Sequence, residues 1–100
     1  MIYITVKLFG KNGICGEFKD YETKALNIFK KYGGEVVVAY APLSEKGQQD
    51  RPDEIQVLKI ASLLDFEKFM KDPERTQLAA EREAVIRKTE VFLSGELISY

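Results

Sequence analysis

Lys7 and Lys59 stand in two stretches whose residues alternate between apolar and polar, and such alternation marks a strand with side chains on opposite faces. In residues 2–9, Ile2, Ile4, Val6 and Leu8 form one uniformly apolar set, which leaves Tyr3, Thr5, Lys7 and Phe9 for the other face. In residues 54–61, Leu58 and Ile60 suit the apolar face, and Val57 and Lys59 the second. Two ammonium groups pointing the same way in a half-enclosed cleft repel and lose hydration, so they need a counter-charge or a bound anion. Glu90, Glu96 or a carboxylate from a second chain could supply the charge, or the lysine stems could carry both heads to bulk water. The functional reading is a small carboxylate or enolate held between Lys7 and Lys59, with Tyr3 and Phe92 on its apolar part and Thr5 on the same face.

Arg82 is the other candidate. Leu78 and Ala79 lie one helical turn before it, and Val85 and Ile86 one turn after, so its Cβ falls on or beside an apolar stripe. An arginine there lays its stem on the core and ends in water or on a carboxylate. Alternatively its planar fork reaches a carboxylate of the loop at residues 43–53, of a partner chain, or of an anionic ligand. The expectation is a partly buried, paired side chain.

Composition removes several classes of chemistry. The chain has 15 basic and 16 acidic residues, a formal net charge of −1, which argues against bulk attraction to nucleic acid. It has no histidine, so Ser-His and Cys-His relays and imidazole metal ligands are excluded within one chain. The one cysteine, Cys15, can form no intrachain disulfide, and no Cys/His cluster exists for zinc. EF-hand, P-loop and dinucleotide-binding fingerprints are missing, so neither metal nor cofactor is expected. The first residues read as a strand, not a secretory leader, and no apolar run approaches the length of a membrane span. The expectation is a cytoplasmic protein, one domain over residues 1–100, with no nucleic-acid or membrane partner.

These candidates need elements to position them. A strand is expected over residues 2–9, followed by Lys11-Asn12-Gly13 turn chemistry. The first helix, about 16–32, carries Phe18, Tyr21, Ala25, Ile28, Phe29 and Tyr32 on one stripe, an exposed Asp20–Lys24 pair, and a Gly33-Gly34 stop. A valine-rich strand over 35–41 ends at Pro42, and residues 43–53 read as an exposed polar loop. After the third strand, Ser62 caps a helix whose stripe is Leu63, Phe66, Phe69 and Met70. Asp72-Pro73-Glu74 breaks and restarts that helix, which is expected to run to about 88, with a fourth strand over 89–98. The order βαββαβ favours a ferredoxin-like α+β fold: a four-stranded antiparallel sheet, strands one and three central, both helices on one face.

Tyr32-Gly33-Gly34, Arg51-Pro52-Asp53, the break over residues 69–74, Arg82 and Gly95 follow one another in an order and spacing that resembles the domain of unknown function 1330 family. The resemblance covers roughly residues 21–95. It implies membership of the dimeric α+β barrel superfamily, in which two sheets face each other across a homodimer. It implies no activity. The superfamily includes cofactor-independent monooxygenases, isomerases, haem enzymes and non-catalytic members, and histidine-ligated haem does not fit a chain without histidine. Three functions follow: a binder of a small organic acid in the sheet cleft, a cofactor-independent enzyme acting on a small carbonyl compound, or a purely structural dimer.

Overall fold

The strand β1 (Ile2–Gly10) lies at the centre of a four-stranded sheet and pairs antiparallel on both sides, with β3 (Glu54–Ile60) and with β4 (Ile86–Ser94). The fourth strand, β2 (Glu35–Tyr40), pairs antiparallel with β3, giving the order β2-β3-β1-β4 of the ferredoxin-like fold. The computed structural model describes residues 1–43 and 50–100, so the middle of the expected loop at 43–53 lies outside the described residues. The helices are α1 (Gly16–Lys31), α2 (Leu63–Met70), α3 (Pro73–Gln77) and α4 (Ala79–Val85). Among the described residues, no helix is long and apolar enough to cross a membrane.

Alternation along β1 sorts the sheet's two faces. Ile4 and Leu8 are buried beneath the helices, joined from β3 by Gln56, Leu58 and Ile60. The core forms two clusters. Leu8, Phe18, Tyr21, Val85 and Ile86 make one, and Ile4, Phe29, Leu58 and Ile60 the other. Val6 packs against both.

Local chemistry sets the helix ends. The Ser62 hydroxyl accepts the Asp65 backbone N–H at 3.1 Å and caps α2. Asp72 caps α3 by accepting the backbone N–H groups of Glu74 and Arg75, and Pro73 occupies the first turn, where its missing N–H costs nothing. The same buried carboxylate accepts the Tyr32 hydroxyl and lies 3.7 Å from Lys31 Nζ, which ties the end of α1 to the α2–α3 break. Gly33, at φ 81°, turns the chain out of α1 in the left-handed region that glycine tolerates.

Three features differ from expectation. The last helical stretch bends at Leu78 into α3 and α4 and ends at Val85, not near 88, because the backbone is extended from Ile86 (φ −108°, ψ 124°) and pairs with Gly10. β4 stops at Ser94, where its ladder with β1 ends at Tyr3↔Ser94. Lys24 pairs with Glu81 of α4 at 3.0 Å and not with Asp20, an ion pair that links α1 to α4.

Gly34 is buried directly under the Phe29 ring, and a Cβ there would overlap it. Gly34→Ala therefore forces the ring off its contacts with Phe69, and overpacking of this kind costs about 1–3 kcal/mol. Urea denaturation of the variant measures it; an unchanged midpoint would show that the ring moves freely.

Candidate ligand-binding site

The two core clusters leave a gap between the sheet and the helices. It is a cavity of ≈ 360 Å³, within the roughly 300–1,000 Å³ typical of small-molecule sites. Ile4, Val6, Leu8, Leu58 and Val91 form its floor. Leu26 and Phe29 of α1 and Phe66, Phe69 and Met70 of α2 form its apolar walls. Phe69 meets Phe29 edge-on at 5.1 Å between centroids, and the Arg75 guanidinium lies over the Phe69 ring at 5.3 Å.

The polar groups of the cavity gather around Val6 and Leu8. Gln56 lies opposite Val6 on β3, and its Nε2 donates to Glu22 Oε1 at 2.8 Å and to Glu54 Oε2 at 2.6 Å. Thr89 lies opposite Leu8 on β4, and its hydroxyl accepts Arg82 Nη2–H at 2.8 Å. Glu22 and Arg82 therefore approach the cavity from opposite sides of β1. Among the described residues they form no ion pair with each other. The Tyr21 hydroxyl completes the group; burial raises its pKa, with the Glu22 charge adding to the rise and the Arg82 and Arg75 charges opposing it.

Glu22 is the residue that sequence reasoning missed. Burial, the largest cause, pushes its carboxyl from 4.5 up to about 7; the Gln56 hydrogen bond opposes the rise, Glu54 adds to it and Arg82 opposes it. The signal was present: Glu22 stands four residues after Phe18 and three before Ala25, on the same stripe that faces the sheet. A carboxyl poised near neutrality is the group a chain without histidine needs for acid–base work.

Of the residues singled out by spacing, only Arg82 lines this cavity. It is half-buried and its guanidinium holds a hydroxyl, Thr89, where a carboxylate was one expectation. Tyr3, Thr5, Lys7, Lys59 and Phe92 share the face of the sheet turned away from the helices. The register places Lys59 opposite Tyr3 and Lys7 opposite Ile55, four residues and about 13 Å further along β1. The two ammonium groups are thus not brought together. Lys59 Nζ is 3.2 Å from Glu35, and Lys7 Nζ lies over the Phe92 ring at 5.5 Å from its centroid. Among the described residues, no group of three or more His, Cys, Asp or Glu side chains could hold a metal ion.

A carboxyl whose pKa is higher in the folded chain makes folding take up a proton. Glu22 therefore favours the fold below about 4.5, and that contribution is lost as pH rises through about 7. The whole effect is at most about 3 kcal/mol. Glu22→Gln keeps the shape without the charge, so above about pH 7 the variant is more stable than the parent, and its stability lacks the downward slope. Denaturation midpoints of both proteins across this range check it; parallel profiles would exclude titration of Glu22 there.

The family described as "Domain of unknown function (DUF1330)" matches residues 15–95. No curated protein matches the chain. Among solved structures, the RPA0582 protein of unknown function from Rhodopseudomonas palustris is similar at a TM-score of 0.80 and 17% identity, over 98% of this chain and 83% of that one. A dabb family protein with a ferredoxin-like fold from Mesorhizobium loti is similar at a TM-score of 0.68 and 17% identity, over 96% of each chain. SnoaB, a cofactor-independent oxygenase from Streptomyces nogalater, is similar at 0.68 and 15% identity, over 98% of this chain and 94% of that one. These identities speak to the fold alone. The match over residues 15–95 covers most of the sequence, and the chain belongs to the DUF1330 family.

Proposed function

We propose that this chain, as a homodimer, binds one small organic molecule in the cavity between helices and sheet. The observation that carries the reading is the division of the cavity. One end is walled by Phe29, Phe66, Phe69 and Met70, and the other presents Glu22, Gln56, Arg82 and Tyr21. An apolar or aromatic body fits the first, and an acid, hydroxyl or carbonyl head fits the second. Arg82 remains from the residues chosen by sequence, and the outward sheet face takes a different role. On it Phe92 is 53%, Tyr40 49% and Val38 45% exposed, beside half-exposed Tyr3, Ile55 and Val57. A second copy covering this face would remove an apolar patch that is unusual on a monomer. The near-neutral charge balance supports a partner other than nucleic acid.

Light scattering after size exclusion should give about twice the chain mass at micromolar concentration; a monomer there sinks the dimer. A thermal-shift panel of small aromatic and aliphatic acids, phenols and ketones is expected to yield a binder. Its affinity should fall roughly tenfold or more in Arg82→Ala, which removes a charge-assisted contact worth about 1.5–3 kcal/mol, and stay unchanged in Lys7→Met and Lys59→Met. The reverse pattern would move the site to the outward face, and a panel without any binder would defeat the reading.

A further inference from the structure

The polar end of the cavity holds a proton acceptor and an anion-stabilising group that are kept apart. Glu22 Oε1 takes the Gln56 N–H, while Glu22 Oε2 makes no hydrogen bond to a described residue. Arg82 donates one Nη2–H to Thr89, and its guanidinium, which also reaches the Tyr21 hydroxyl, lines the cavity with further donors. Had the two charges met, each would have neutralised the other. Their separation across β1 leaves the place between them for a reacting group. We infer that the cavity catalyses proton transfer at the carbon next to a carbonyl, with Glu22 as the base and Arg82 holding the oxyanion, on an enolisable carbonyl compound that carries an apolar arm.

The step balances within the site. Glu22 Oε2 takes the proton from the α-carbon; the C–H pair becomes the new C=C bond; the C=O pair moves onto oxygen beside the Arg82 guanidinium. The proton then returns from Glu22 to oxygen, or to the same or a conjugated carbon, and no oxidant, metal or cofactor takes part. The groups facing Glu22 set its working range: Gln56 and Glu54 from β3, Tyr21 on its own helix and Arg82 from α4. Burial leaves Glu22 half-ionised at about 7, so a base is present at neutral pH. Gln56 is a positioning residue: buried and bonded to Glu22 Oε1, it holds the carboxyl at the cavity lining and leaves Oε2 without a hydrogen bond to a described residue.

This inference rests on the ligand-binding reading of the cavity. The probe is benzoylacetone, a β-diketone with an aromatic arm, and the readout is exchange of its central hydrogens for deuterium, followed by proton NMR against buffer alone. The intact protein is expected to accelerate exchange saturably, with a rate that rises with pH and levels above about 7. Glu22→Gln should lower the accelerated rate by about 100-fold or more while the probe still raises the melting temperature. Glu22→Asp, which retracts the carboxylate, should retain part of the rate and the pH profile. Equal exchange by the parent and Glu22→Gln, with the probe bound to both, overturns the base and leaves ligand binding standing. A broad panel that yields binders but no bound β-diketone overturns the substrate class alone. A panel with no binder of any kind overturns both readings.

Discussion

Everything in this fold depends on the pairing of β1 on both sides. A central antiparallel strand fixes which side chains of its neighbours share a face, because the side-chain period is two and no strand can slip by one residue without turning its apolar set outward. Ile4 and Leu8 hold that parity by their burial. Through the register, the parity of β1 places Gln56 and Thr89 on the helix side. The polar end of the cavity is thus a consequence of strand pairing. The helices bring Glu22 and Arg82 to partners that the sheet has already positioned.

The arrangement carries an energetic cost. Removing a carboxyl from water is unfavourable unless it is paired, and a direct contact with Arg82 would have relieved that cost. Gln56 supplies a neutral donor instead, which satisfies one oxygen and leaves the carboxyl without an ion-pair partner in contact among the described residues. The result is a carboxyl that ionises late. By contrast Asp72, also buried, receives a hydroxyl, two backbone N–H groups and the approach of Lys31, and its pKa is lowered, with the Tyr32 hydrogen bond as the first cause. Two acids in one small protein are driven in opposite directions by the number and kind of donors aimed at them.

Much of the architecture was legible because it follows from local rules. The alternation of β1, the Ser62 cap, the Asp72-Pro73 restart and the Gly33-Gly34 stop each name their own position. The limits of the reading have equally local causes. Alternation fixes a face but not an offset, so Lys7 and Lys59 could be assigned to one side of the sheet while their four-residue displacement stayed hidden. Helix and strand meet at Val85 and Ile86 because tertiary pairing with Gly10 decides the switch. Arg82 was noticed as a charge on an apolar stripe. Glu22 obeys the same test, and so does Gln56, a polar residue at an inward strand position; neither stands out until the two core clusters are seen to leave a gap between them.

The walls of that gap are unequally held. α1 buries Phe18, Tyr21, Ile28 and Phe29, whereas α2 buries no residue at all, although Phe66, Phe69 and Met70 line the cavity. Its ends are fastened, by Ser62 before it and by the Asp72 latch after it, but its length rests on half-buried aromatic rings. Few buried apolar contacts mean a low free energy of local opening. The amides of α2 should accordingly exchange with solvent well before those of α1 or β1, and an occupant of the cavity would slow them by filling the space the helix leans over. The residence time of an occupant would then be set by the breathing of one eight-residue helix, with the sheet beneath it undisturbed.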